Sequence, residues 1–378
     1  MTKGKLGFGC MRLPVIGGNA GKVNIEKFAE MADHFIGKGF TYFDTSMAYH
    51  EGFSEQAVRE AVVKRHPRES FTVATKFPTF FFTGSESHDQ VVQTFEAQLA
   101  NCGVEYFDYY LLHNLSGIRY DEVVKPLELF EYVSEQRQAG KIRHIGFSWH
   151  DNAEELDRVL TDHPEVEFVQ IALNYYDWTS YFIQSKACYD VIRKHGKEVV
   201  VMEPVKGGML AAAPEEAEKK MKILQPDQSV ASWAVRFAAS LDGVLTVLSG
   251  MSTMQQVEDN CSFMENFIPL TQGEMDLTQE IAKIYRVSGP LAMSNFSAYE
   301  NVSQKDLPLA ALLDCRNSMA IQPNPYFGAE GNYPGIALAR AGVPDYDSWV
   351  QGTVTLADGT DVTELAKDTV AYIKEHAF

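Results

Sequence analysis

Four side chains that handle protons recur at one kind of place in this 378-residue chain. Asp44 and Tyr49 stand five positions apart in YFDTSMAYHEG (42–52), which opens as an apolar strand pattern. FTVATK ends in Lys76 and YYLLH ends in His113. A carboxylate, a phenol, an amine and an imidazole at or just past strand ends sit where a parallel β/α barrel keeps its reacting groups. Singly, each has a structural reading: Asp44 as a turn or cap residue, Tyr49 as packing, Lys76 as a rim charge, His113 as a satisfied loop histidine. Their order, spacing and shared placement together point instead to a proton-transfer site.

The elements that must carry them alternate. Strand patterns occur at 5–9, 41–44, 71–75, 106–113, 142–148, 168–173, 198–203 and 243–249, several continuously apolar as expected for strands buried on both faces. Between them, segments 25–39, 54–66, 91–103 and 127–140 space apolar residues by three and four. Gly39, Gly103, Gly140 and Gly196 fall at helix stops, and Ser87 with Gln90 forms a capping box ahead of VVQTF. Eight such units predict an α/β fold of the (β/α)8 TIM-barrel class. An open doubly wound sheet is disfavoured because LGFGCMRLP lacks the G-x-G-x-x-G spacing. The barrel is expected over 1–268. Residues 269–378 form an appended region, mainly helical and loop, that begins with a helix at MDLTQEIAKIYRV and ends with one at VTELAKDTVAYIKEHAF. GPLAMSNFSAYENVS and IQPNPYFGAEGNYPG between them read as loops.

Composition narrows the class. With 33 basic and 51 acidic residues the net charge is −18, which argues against nucleic acid and anionic membrane as partners. The N-terminus lacks a signal-peptide pattern and no apolar run approaches the ~20 residues of a membrane span. Five cysteines without a C-x-x-C pair fit reduced thiols in a cytoplasm, with no metal site.

The segments FDTSMAYHEGFSE, ATK, LLHN, GKIRHIGFS, VQIALNY, VMEPVKGG and LSGMSTMQQVEDN resemble the aldo-keto reductase family over roughly residues 4–265. The resemblance implies a barrel that binds NAD(P)(H) without a Rossmann domain, and Asp44, Tyr49, Lys76 and His113 as a catalytic tetrad. In that reading hydride addition to a carbonyl leaves an alkoxide that takes its proton from Tyr49. Lys76 lowers the phenol's pKa from ~10, Asp44 holds Lys76 charged, and His113 donates to the carbonyl oxygen.

The resemblance also implies cofactor contacts. Ser148 and Gln170 match positions that bond the nicotinamide carboxamide, with Trp149 where Asn is common. Met202 replaces the aromatic that stacks on the ring. Gly9, Cys10, Met11, Pro204, Val205, Gly207, Gly208, Met251 and Ser252 line the rest of the groove, and Asn260 matches an adenine contact. Gly250 and Gln256 stand where the family often has lysine and arginine, so a cationic 2′-phosphate site is lacking. NADP versus NAD stays open, with NAD accepted equally well or better as the expectation. GFSWH, VMEPVKGG and VLSGMSTMQQVEDN most resemble a bacterial branch that often carries a C-terminal iron–sulfur domain. Only Cys315 lies beyond Cys261, so no cluster is expected.

For the substrate, KFPTFFFTG supplies Phe80, Phe81 and Phe82, and NYYDW supplies Tyr175, Tyr176 and Trp178. They suit either an apolar or ring-shaped carbonyl or the docking of the C-terminal region on the barrel. The reaction expected is interconversion of a small-molecule carbonyl and alcohol, with homo-oligomerisation left open. Two competitors remain: a cofactor-sensing regulatory subunit, and an enzyme that retains NAD for internal redox such as epimerisation.

Overall fold

The computed structural model describes residues 4–304, 307–322, 333–340, 342 and 347–376. Eight parallel strands close in sequence order into a barrel: β1 (Leu6–Gly9), β2 (Tyr42–Asp44), β3 (Thr72–Phe77), β4 (Phe107–Leu115), β5 (Ile142–Trp149), β6 (Phe168–Ala172), β7 (Glu198–Met202) and β8 (Val244–Gly250). β8 returns to β1 from Leu6↔Val247 to Gly9↔Gly250. Tyr42, Ala74, Leu111, Phe168, Val200 and Leu248 fill the barrel interior. The filling is tight: a Cβ at Gly146 would lie 2.5 Å from the Phe168 ring.

Register positions the chemistry. Asp44 pairs with Ala74 and Lys76 lies two residues farther along β3, so both face the same side of the sheet. Lys76 is level with Leu111, and His113 is two residues farther along β4.

Helices α1 (Ile25–Gly37), α2 (Ser54–Val58), α3 (His88–Cys102), the single turn α4 (Gly117–Arg119), α5 (Leu129–Gln138), α6 (Ala153–Asp162), α7 (Ser185–Lys194), α8 (Glu215–Leu224), α9 (Val230–Ser240) and α10 (Met254–Met264) lie between or after the strands. α3 starts at the Ser87/Gln90 capping box and stops at Gly103, which is left-handed at φ 67°. α1 sets Phe28 and Phe35 against Phe8, with ring centroids 5.4 and 5.5 Å away.

α11 (Gln272–Ser288) packs Ile281, Ala282 and Tyr285 into the main core. Strands β9 (Ser303–Gln304) and β10 (Leu307–Pro308) pair antiparallel, and α12 (Leu309–Ile321), α13 (Tyr333–Arg340) and α14 (Thr363–His376) follow. A second core joins α12 and α14 to Trp349, and reaches the barrel at Ala172, Phe182 and Ile183. Of the expected loop IQPNPYFGAEGNYPG, residues 323–332 lie outside the described residues, as do 377–378 of the last predicted helix. The stretch ends as the start of α13.

Candidate active site

Tyr49 follows β2 in a turn that runs His50 (φ 53°), Glu51 (φ 53°) and Gly52 (φ 93°), left-handed backbone in which only the last residue is glycine. Such conformations persist where neighbours enforce them. Here His50 does so: its Nε2 accepts from Leu13 N–H at 3.0 Å and its Nδ1 lies 2.9 Å from Ala20 O, which assigns the proton to Nδ1. The β1–α1 loop is thereby fastened to the turn that holds Tyr49.

The four groups meet at the barrel's C-terminal mouth. Lys76 Nζ donates to Asp44 Oδ1 at 2.5 Å and to Thr45 O at 2.9 Å, and lies 4.9 Å from the Tyr49 ring centroid. The Tyr49 and His113 rings stand edge to face at 5.8 Å. Asp44 and Lys76 are fully buried, whereas Tyr49 is half-buried and so reachable from the mouth.

Burial pushes the Asp44 carboxyl up, against the pull of Lys76. Burial alone would lower Lys76, but Asp44 and Tyr49 hold its ammonium above the ordinary range. For Tyr49 the expectation needs correction. Lys76 does pull the phenol down, yet burial outweighs it and Asp44 adds to burial, so the net shift is upward. The phenol is held as an acid. His113 is kept neutral, well below the usual imidazole range, first by burial and then by Lys76, His150 and Arg119. Its Nδ1 sits 3.1 Å from Ser46 Oγ, and its carbonyl accepts from Thr79 Oγ1.

Behind Lys76 lies a buried network that no sequence pattern singled out. Glu55 accepts from Thr75 Oγ1 (2.7 Å), Gln98 Nε2 (2.8 Å) and Asn101 Nδ2 (3.1 Å). Gln98 Nε2 also donates to Lys76 O at 2.9 Å, and its Oε1 accepts from Tyr110 OH at 2.5 Å. Glu55 is thus tied through Gln98 to the backbone that carries the amine. The only available signal was a charged residue on the buried face of α2.

Across the mouth, the expected cofactor residues fall along β5–β8 and the β1 loop. Ser148 Oγ accepts from Asn114 N–H at 2.8 Å, which leaves its own proton to give. Gln170 is buried and its Oε1 has no partner, an acceptor fitted to an amide donor such as the nicotinamide carboxamide. Gly207 (φ 63°) and Gly208 (φ 97°) make an exposed turn after half-buried Met202 and Val205 and buried Pro204. Gly9, Cys10 and Met251 are buried, while Met11 and Ser252 are exposed. Asn260 Nδ2 donates to Ser249 Oγ at 2.8 Å. Trp149 is buried and turned away, its Nε1 donating to Asn152 O. Gln256 spends its Oε1 on Ser252 N and Thr253 N as the cap of α10.

The family model described as Aldo/keto reductase family matches residues 5–283. The chain belongs to this family. L-galactose dehydrogenase of Arabidopsis thaliana is 22% identical over 258 residues, 64% of this chain and 79% of that protein. An aldo-keto reductase from Bacillus halodurans in its holo form superposes at TM-score 0.57 with 25% identity, covering 73% of this chain and 91% of that one. An aldo/keto reductase from Klebsiella pneumoniae in complex with NADP and acetate does so at 0.58 with 18% identity, covering 74% and 91%. By membership this aldo/keto reductase is an oxidoreductase. Among the described residues no helix is long and apolar enough to cross a membrane, and no three His, Cys, Asp or Glu side chains cluster as metal ligands.

The reductase's two aromatic sets part company. Phe80 lies 5.2 Å from His113 with Phe81 packed on it at 4.6 Å and 60% exposed, so these line the mouth. Phe82 packs beneath Phe77. Tyr175 and Tyr176 are fully buried and Trp178 half-buried, against Phe237, Tyr285 and Tyr189. α11 and α12 seal that loop: Arg286 Nη2 donates to Tyr176 O at 2.5 Å, and Asp314 accepts from Ser180 Oγ at 2.6 Å. The structure therefore assigns these three to the docking seam rather than the substrate wall.

Arg12 is the residue the sequence reading missed. Its stem runs across Gly250, where a Cβ would come within 3.2 Å of Arg12 Cδ, and its Nη2 reaches within 3.5 Å of a Cβ at Gly207. It enters no ion pair among the described residues.

Proposed function

We propose that the protein interconverts an aldehyde or ketone and the corresponding alcohol with NAD(P)(H), in a cytoplasmic setting. The observation that carries this reading is the Asp44–Lys76 pair set under Tyr49 and beside neutral His113, opposite the unpaired Gln170 oxygen. When bound, the nicotinamide supplies or accepts the hydride. Ser148 and Gln170 would hold its carboxamide, Ser148 through its hydroxyl proton and Gln170 through its unpaired Oε1. His113, neutral, donates to the carbonyl oxygen and fixes its position. Tyr49, held protonated by its buried setting, gives its proton to that oxygen as negative charge develops there. Lys76 stabilises the phenolate left behind, and Asp44 keeps Lys76 in place. Phe80 and Phe81 favour an apolar or ring-bearing substrate.

Gln256 is uncharged, with its Oε1 committed to the helix cap, and Gly250 leaves its space to Arg12, so neither supplies a cation to a 2′-phosphate. The Arg12 guanidinium reaches the Gly207 turn instead, and NADH is used at least as well as NADPH. The test is Tyr49→Phe, with 4-nitrobenzaldehyde as substrate. Turnover falls by more than about 100-fold while fluorescence titration shows cofactor still binding. Near-normal turnover in that variant overturns the assignment.

A further inference from the structure

The C-terminal extension reaches the cofactor side of the mouth at several places, three of which bear on the loops after β5 and β7. On α13, Tyr333 OH donates to Trp149 O at 3.4 Å and Arg340 pairs with Asp151, so this helix sits on the loop after β5. The third place is the end of α12. Gln322 closes that helix with its backbone N–H on Ser318 O, and its side chain points back over the β7 loop. A Cβ built on Gly207 would lie 2.2 Å from Gln322 Nε2, so the amide occupies the space against the glycine's open side. Gln322 is only 6% exposed, and among the described residues neither its Nε2 nor its Oε1 has a hydrogen-bond partner.

That last observation asks for a cause. A buried primary amide with both polar atoms unpaired costs a sizeable desolvation free energy with no return, and folded proteins rarely keep one without a function. Its surroundings say what would satisfy it. Gly207 and Gly208 hold left-handed backbone, and at Gly208 the space a Cβ would take is open, which lets an oxygen-rich group come close. Arg12 Nη2 comes within 3.5 Å of the same Cβ position and enters no ion pair among the described residues. A donor amide, a bare glycine turn and a free guanidinium around one point fit a diphosphate.

We propose that Gln322 of the C-terminal extension, beside Arg12 at the Gly207 turn, binds the diphosphate of the dinucleotide, so that the extension forms one wall of the cofactor site. This rests on the nicotinamide-dependent reading above. Gln322 is a binding residue with no part in proton transfer. Both NADH and NADPH share the diphosphate, so its contribution is the same for each.

The test titrates NADH and NADPH by protein fluorescence into the full chain, Gln322→Ala and Gln322→Glu, and records Tm with and without saturating cofactor. For Gln322→Ala, Kd rises about tenfold for both cofactors, the loss of one hydrogen bond to a charged group. Gln322→Glu loses more, because a carboxylate repels the diphosphate. Without cofactor, Gln322→Ala melts at or above the wild-type temperature, since an unsatisfied amide has been removed, while its cofactor-induced rise in Tm shrinks. Wild-type protein that binds neither dinucleotide overturns the functional reading itself. Wild-type binding with Kd unchanged within twofold in both variants overturns this inference alone. So does weakened binding together with a lowered Tm without cofactor, which would make the amide a packing element.

Discussion

On the β2–β4 side of the mouth, the groups that would move a proton are mostly partnered inside the protein, with Asp44 Oδ2 the exception among them. Lys76 bonds Asp44 and Thr45, Glu55 receives three donors, and Gln98 ties that network to Lys76. On the β5–β8 side, among the described residues, Gln170 Oε1 and both amide atoms of Gln322 are buried without partners, and Arg12 lies over Gly250 in no ion pair. The first wall is organised before anything binds, as electrostatic catalysis requires. The second holds unsatisfied groups around a glycine turn, which is how a site looks when a ligand completes it.

The largest effect should come from breaking the organised wall at its centre. Lys76→Met strands the buried Asp44 carboxylate and should cost on the order of 3 kcal/mol of stability, together with a loss of turnover above about 100-fold. Adding Asp44→Asn removes the stranded charge and should restore most of the stability but none of the turnover. Urea unfolding and aldehyde-dependent NADH oxidation measure the two separately. If turnover returned along with stability, the pair would be a structural strut and the contrast between the walls would fail.

Glu55 sharpens the same comparison from one shell farther back. Glu55→Ala leaves the donors of Thr75, Gln98 and Asn101 unpaired in the core, at a cost of about 2 kcal/mol. Because Gln98 also holds the Lys76 carbonyl, kcat should fall while KM for the aldehyde stays put. Glu55→Gln keeps an acceptor for two of the donors and should recover part of kcat. Equal loss in both variants would point to simple destabilisation.

The acid side of the stability profile gives a smaller effect with a fixed sign. His113 is neutral in the folded protein with its pKa depressed, whereas in the unfolded chain it titrates near ~6.5. Below that pH the unfolded chain binds a proton the folded one does not. Stability is therefore lost as pH falls from ~6.5 towards the folded value, by up to about 1.4 kcal/mol per pH unit. Denaturant unfolding between pH 7.5 and 5 should show that slope reduced in His113→Gln. An unchanged slope would mean that His113 is already charged in the fold. Tyr49 bears on the alkaline side: its raised pKa keeps the phenol protonated, so carbonyl reduction should hold up to its ordinary value near ~10 and fall only above it.

How much of this could be read from sequence follows the same divide. The strands were legible because each is an apolar run ending at the mouth, and the four proton-handling residues because they sit at those ends. The Ser87/Gln90 cap and the Gly103 stop were legible because capping is local chemistry. α12 was not, because LAALLDCRNSMAI is buried on every side and leaves no amphipathic stripe to detect. The direction of the Tyr49 shift was missed because sequence names a neighbouring amine but not the depth of burial. The role of Tyr175, Tyr176 and Trp178 was undecidable from an aromatic loop alone; Arg286 and Asp314 of the C-terminal region decide it. Arg12 and Gln322 acquire meaning only where they converge on Gly207, a meeting that no spacing rule anticipates.

That convergence supplies the smallest effect and the finest discrimination. If Arg12 contacts the diphosphate that both dinucleotides share, Arg12→Gln should weaken NADH and NADPH alike, by roughly tenfold, the loss of one charge-assisted contact. A lysine installed at position 250 should gain little for NADPH, because its Cβ would press on the Arg12 stem at 3.2 Å. Combining Gly250→Lys with Arg12→Ala clears that space, and the double variant should then favour NADPH over NADH relative to the parent. Fluorescence titration of both cofactors across the three variants reads the shift. A lysine at 250 that raised NADPH affinity with Arg12 intact would show that the stem yields easily. The cofactor wall would then be more adaptable than its packing suggests.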